Sequence, residues 1–203
     1  NSIFKYKTAS ALYENLTRRI ILMYHSGKYN FFIWGIFSSI CIVILGSIWH
    51  FLYDILGKNS LIAWCAPINE SIWEHLKLTL FPTLIVMLIL YALHYIPDQP
   101  SIHKVILMIS TGICIANLII VSIYYVLSGG FDRTSMAIDL TAYGIGILAG
   151  QFLSAIHLLP LHRIPKWIYA IGYIFLIVLI IITAVFSYNI PDFPIFVPSD
   201  QTV

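Results

Sequence analysis

The sequence predicts an all-α bundle of about five membrane-spanning helices, and three observations support it. Of 203 residues, 60% are apolar and only 10% are charged, whereas a soluble domain carries roughly 25% charged residues. Five apolar runs are long enough to cross a bilayer, and the breaks between them carry turn chemistry. The 11 Lys+Arg and 9 Asp+Glu leave a net charge of only +2. That is too few charges to coat a water-soluble globule and too weak a field to track a phosphate backbone. An ordinary soluble enzyme, a disordered chain and a nucleic-acid binder are thereby excluded.

A crossing helix needs about 20 mostly apolar residues, because no water in the hydrocarbon satisfies free backbone groups. The first run covers about Phe31 to Tyr53 and the second about Leu76 to Tyr95. The third covers about Ile102 to Leu127, the fourth about Ser135 to Leu159, and the fifth about Trp167 to Tyr188. Pro97-Asp98-Gln99-Pro100, Ser128-Gly129-Gly130 and the stretch from Pro160 to Pro165 separate the last four.

Between Ser10 and Tyr24, Leu12, Leu16, Ile20 and Met23 share one helical stripe, with Glu14, Arg18 and Arg19 elsewhere. This pattern suits an amphipathic helix in the inner interface, or a cap on the bundle. The chain thus divides into an N-terminal interfacial unit (1–29), the bundle (30–190) and an extended C-terminal segment (191–203). Lys5, Lys7, Arg18, Arg19, Lys28, Lys104, Arg163 and Lys166 fall on one side, against Lys58, Lys77 and Arg133 on the other. Basic residues favour the cytoplasmic face, so the N-terminus is expected inside and the C-terminus outside. The basic opening residues and long first apolar run do not fit a cleavable signal peptide. Cys41, Cys65 and Cys114 show no metal-binding spacing, and an odd count offers no disulfide framework.

Polar groups collect between Trp49 and Leu80. His50 and Asp54 stand four apart at the end of the first span, and Glu70, Glu74 and Lys77 share a face near the start of the second. Trp64, Trp73, Leu61 and Ile72 are interleaved with them, which suggests a re-entrant or interfacial segment between the first two spans. A structural account is available for each: Ser71-x-x-Glu74 matches a capping box, Asn69 offers an alternative cap, and Glu74 with Lys77 makes an interfacial ion pair. Asp139, a turn inside the fourth span, needs a partner, since a lone carboxylate there costs at least ~2.5 kcal/mol. Two histidines with two or three carboxylates also form an adequate ligand set for a divalent metal such as zinc. In that scheme His50, His75 and either Glu70 or Asp139 bind the metal, and Glu74 serves as the catalytic base.

Within the fourth span, Gly146-x-x-x-Gly150 favours close helix packing. Gln151, Ser154 and His157 follow at three-residue spacing, as a polar track or as interhelical hydrogen bonds, and Asn117 in the third span reads the same way. Pro82 can kink the second span just after the polar cluster and leave carbonyls free to face a cavity. The segment from Pro191 to Pro198 carries Phe193, Ile195 and Phe196 and is expected to fold back over the outer mouth, as a lid or a staple.

The runs His50-Phe-Leu-Tyr-Asp54 and Pro67-x-Asn-Glu-Ser-x-Trp-Glu-His-x-Lys77, with the proline-rich end, resemble a family of small polytopic bacterial membrane proteins of unknown function. The resemblance covers the chain from about Phe31 onward. It implies a multi-pass protein of the bacterial cytoplasmic membrane and assigns no activity.

Three functions follow as expectations. The first is a metal-dependent hydrolase or transferase acting on a membrane-borne or lipid-linked substrate near the outer leaflet. The second is a proton- or ion-coupled transporter using Glu70, Glu74, Asp139 and the Gln151–His157 track. The third is a non-catalytic membrane subunit, as a homo-oligomer or within a complex, whose Glu70, Glu74, His75 and Lys77 pair fully with one another and open no cavity.

Overall fold

Uninterrupted apolar runs become helices in hydrocarbon because only intrahelical hydrogen bonds can satisfy their backbone. The computed structural model describes residues 29–131 and 136–198. The amphipathic helix expected over Ser10–Tyr24 lies outside them. Among the described residues there are five long helices, α1 (Tyr29–His50), α3 (Ile72–Ala92), α4 (Ile102–Phe131), α5 (Met136–Leu158) and α6 (Lys166–Tyr188). A single turn, α2 (Leu52–Ile55), follows α1, and a 3-10 turn, Pro194–Phe196, follows α6. All five long helices are long and apolar enough to span a membrane.

The second span ends at Ala92 rather than Tyr95, and three other boundaries differ from expectation, each with a local cause. The first span ends at His50, and Phe51 breaks it before the one-turn α2. The second begins four residues early, at Ile72, because Ser71 caps it: its hydroxyl accepts the Glu74 N–H at 3.3 Å. The third runs through Ser128-Gly129-Gly130 to Phe131. Glycine inside a helix costs about 1 kcal/mol and does not by itself stop one.

Helices α1, α3, α4 and α5 close a ring, each packed on the next, and α6 leans on α4 from outside. Only 17% of the most apolar α6 window is buried, against 56% for α3, so α6 is the peripheral helix. Small residues set the tightest seam, between α4 and α5. A methyl added at Gly150 would overlap the Gly112 carbonyl, and one at Gly146 would come within 2.9 Å of the Ala116 carbonyl. The Gly146-x-x-x-Gly150 pair is therefore a packing device.

The segment between α1 and α3 folds down along the bundle. Trp64 packs edge-on against Phe81, ring centroids 5.2 Å apart. Phe81 lies nine residues into α3, a drop of about 13 Å along the helix. The Trp49 indole donates to the Cys65 carbonyl at 3.0 Å.

The C-terminal segment also returns to this end. Ser71 and Pro198 form an antiparallel bridge, and Phe196 packs on Trp73 with centroids 5.0 Å apart. It acts as a staple on the start of α3.

Candidate metal centre

The polar residues of the first two spans separate into two groups that do different work. The inner group is a clasp. Lys77 is 1% exposed, and its ammonium donates to Glu74 Oε2 at 2.5 Å, to the Ala63 carbonyl at 2.7 Å and to the Ala66 carbonyl at 3.4 Å. Those three acceptors use its three protons. Glu74 Oε2 also accepts the Ile68 N–H at 2.9 Å. A buried ion pair is tolerated only when such extra hydrogen bonds complete it, and this one ties the 57–71 segment to α3. Asn69 Oδ1 takes the Ser71 N–H at 2.9 Å. The capping box is thus half formed, with Asn69 in the reciprocal role expected of Glu74.

The outer group faces a cavity of about 220 Å³. It lies at the end of the bundle where α1 finishes and α3 and α5 begin. His50 closes α1, His75 stands in the first turn of α3, and Glu70 precedes the cap. His50 Nε2 and His75 Nε2 lie 3.4 Å apart. Glu70 Oε2 is 3.6 Å from the first and 3.3 Å from the second. The two rings stack at 30°. Three donor atoms within 4.8 Å of one another form a group able to hold a metal ion. Tetrahedral zinc with bonds of about 2.0–2.1 Å separates its ligand atoms by about 3.3–3.4 Å, close to these three edges. The hydrogen bond from His75 holds the Glu70 carboxyl below the usual carboxylate range, with the charges of His75 and His50 adding to it against partial burial.

The structure distributes the remaining candidates widely. Asp139 lines the same cavity, but it is not one of the three clustered ligands. Glu74 is 2% exposed, engaged with Lys77 and Ile68, and not among the residues lining the cavity. A general base has to reach the proton it removes, so the expected base role does not fit Glu74. Asp54 is exposed and pairs with Lys58 at 3.7 Å. The helix break after His50 removes the shared face that the four-residue spacing assumed.

None of Gln151, Ser154 and His157 lines the cavity. Ser154 donates to the Gln151 carbonyl at 3.0 Å, Gln151 is buried, and His157 is exposed. Asn117 meets the Thr79 hydroxyl at 2.5 Å, an α4–α3 contact.

Tyr143 was not among the expected site residues. It lines the cavity from α5, and its hydroxyl donates toward the Leu78 carbonyl at 3.2 Å and the Ile42 carbonyl at 3.4 Å. Pro82 has no N–H to give the carbonyl four residues back. That carbonyl belongs to Leu78, so Tyr143 satisfies the acceptor that Pro82 leaves open. Gly46 makes room, since a methyl there would overlap the Tyr143 hydroxyl. The signal was present in Pro82 and in a tyrosine within an apolar span.

One family profile matches this chain over residues 23–202. The chain belongs to DUF6512, a family of unknown function. No curated protein matches it. No solved structure matches it. Membership in DUF6512 therefore carries no activity to this site, and its chemistry has to be argued from the cavity and its ligands.

Proposed function

We propose that this DUF6512 protein is a membrane-embedded, metal-dependent hydrolase or transferase acting on a membrane-borne substrate. The observation that carries the reading is the triangle of His50 Nε2, His75 Nε2 and Glu70 Oε2, with edges of 3.3–3.6 Å, on the wall of a cavity. Two imidazoles and one carboxylate are a ligand set of catalytic zinc, which keeps its fourth position for water. His50, His75 and Glu70 would hold the ion through three donor atoms, and the cavity beside them leaves room for a water. Asp139, on the α5 side of that cavity, takes the base role in place of Glu74. An ion held by His50, His75 and Glu70 would acidify a bound water, and the Asp139 carboxylate would receive its proton.

The reading of a purely structural subunit required Glu70, Glu74, His75 and Lys77 to be paired with one another and no cavity to open. Glu74 pairs with Lys77 and Glu70 pairs with His75 at 3.3 Å. The second pair faces a cavity, which favours chemistry there. The charge count supports an inward N-terminus: eight Lys and Arg fall on that side against Lys58, Lys77 and Arg133 on the other. On that orientation the centre lies near the outer leaflet of the cytoplasmic membrane.

Metal analysis of the purified full-length chain tests the proposal. The expected result is about one zinc per chain, lost in His50→Ala and His75→Ala and kept in Asp54→Asn, since Asp54 is exposed and does not line the cavity. A wild-type chain that stays metal-free after zinc loading and dialysis overturns it.

A further inference from the structure

We infer that the centre takes a neutral, carbonyl-bearing amphiphile, a carboxylic ester or amide, which reaches it sideways from the bilayer between α1 and α5. The inference rests on the metal reading above and adds a substrate class and an entry route.

Charge selects the class. Among the described residues lining it, the cavity brings together two carboxylates, Glu70 and Asp139, and no Lys or Arg. Lys77, the one cation built into this end of α3, is sealed against Glu74. A divalent ion is therefore already balanced by the two carboxylates. A phosphate ester would add negative charge that none of the described lining residues neutralises, in surroundings where charges interact strongly. Sites that grip phosphates use Arg or Lys for this purpose. A carbonyl oxygen brings no net charge and needs only polarisation.

Shape selects the route. Ser47 of α1, Phe51 just after it and Leu140 of α5 line the cavity and are also exposed. Ile44 and Ile48 continue that exposed apolar face along α1, at 57% and 58% exposure. That exposed apolar flank gives the cavity a side that meets acyl chains. Pockets that bury a whole small molecule span about 300–1,000 Å³. A cavity of about 220 Å³ admits the reacting group and its nearest methylenes, and the rest of the chain stays in the membrane.

Hydrolysis here balances without a further reactant. The water oxygen bonds to the acyl carbon, and the acyl C–O or C–N bond breaks. The water proton passes through Asp139 to the departing oxygen or nitrogen, and a carboxylic acid leaves with an alcohol or an amine.

The test uses the zinc-loaded full-length chain in detergent micelles, with zinc content measured in every sample. The probes are monooleoylglycerol, N-oleoylethanolamine and oleyl phosphate. The expected result is release of oleate from the ester or the amide, at least about tenfold faster than phosphate release from oleyl phosphate. Ser47→Trp and Leu140→Trp, which narrow the mouth, should keep their zinc and lose about tenfold in oleate release. Bound zinc with no oleate release, with preference for oleyl phosphate, or with mouth variants as fast as the parent overturns this inference and leaves the metal reading standing. A chain that binds no zinc overturns both.

Discussion

A single lysine shows how spacing and burial divide the information. Glu74 and Lys77 stand three apart, so their pairing was legible, but their depth was not. At a surface such a pair is worth under about 1 kcal/mol. Fully buried, loss of one partner leaves an uncompensated charge and costs about 3–5 kcal/mol. Lys77→Met should therefore unfold at markedly lower temperature in detergent, and the double variant Glu74→Gln/Lys77→Met should recover part of the loss. Equal stability for the lysine variant and the parent would refute the clasp. Glu70 behaves differently because half of its side chain is exposed. Its folded pKa is lowered by His75, so the stability it contributes is present above the ordinary carboxylate pKa. That contribution fades as pH falls through the lowered value. A pH series of melting temperatures should show Glu70→Gln with a flatter acid limb than the parent.

Helix-scale fit rests on a few places where a side chain is missing. Gly150 and Gly146 let α4 and α5 touch backbone to backbone, whereas nothing lies within 4 Å of a methyl added at Gly144. Gly150→Ala should cost about 1–3 kcal/mol by overpacking, while Gly144→Ala leaves the melting temperature unchanged or slightly raised. Pro82 and Tyr143 form a second coupled pair: one vacates the Leu78 carbonyl and the other fills it. Tyr143→Phe leaves that buried acceptor unsatisfied, at about 1–3 kcal/mol. Replacing Pro82 by Ala in the same chain restores the helical donor and should recover stability, as thermal unfolding of the three variants would reveal. Neither the glycine contacts nor the tyrosine bond follows from periodicity, because each needs to know which helix lies opposite.

Across the whole molecule, the ring of α1, α3, α4 and α5 carries the site, and the C-terminal segment guards its neighbour. Phe196 and Trp73 hold that segment on α3, and Tyr188 donates to the Ser60 carbonyl at 2.8 Å. The segment is absent from the cavity lining, so Phe196→Ala should speed protease cleavage after residue 190 while zinc content stays the same. A parallel loss of zinc would show that the staple belongs to the metal centre.

Length and hydropathy alone determined the five helices and their approximate limits, because the bilayer enforces helix over any apolar run of sufficient length. The same sequence named His50, Glu70, His75 and Asp139 as scarce ionisable groups in an apolar chain. Only the tertiary structure decided which of them meet. It took Asp54 away by ending α1 at His50, buried Glu74 beneath Lys77, and left three ligand atoms about one zinc tetrahedron edge apart. The reason is physical: hydrophobicity is a property of each segment, whereas coordination geometry depends on distances between segments, which packing alone sets.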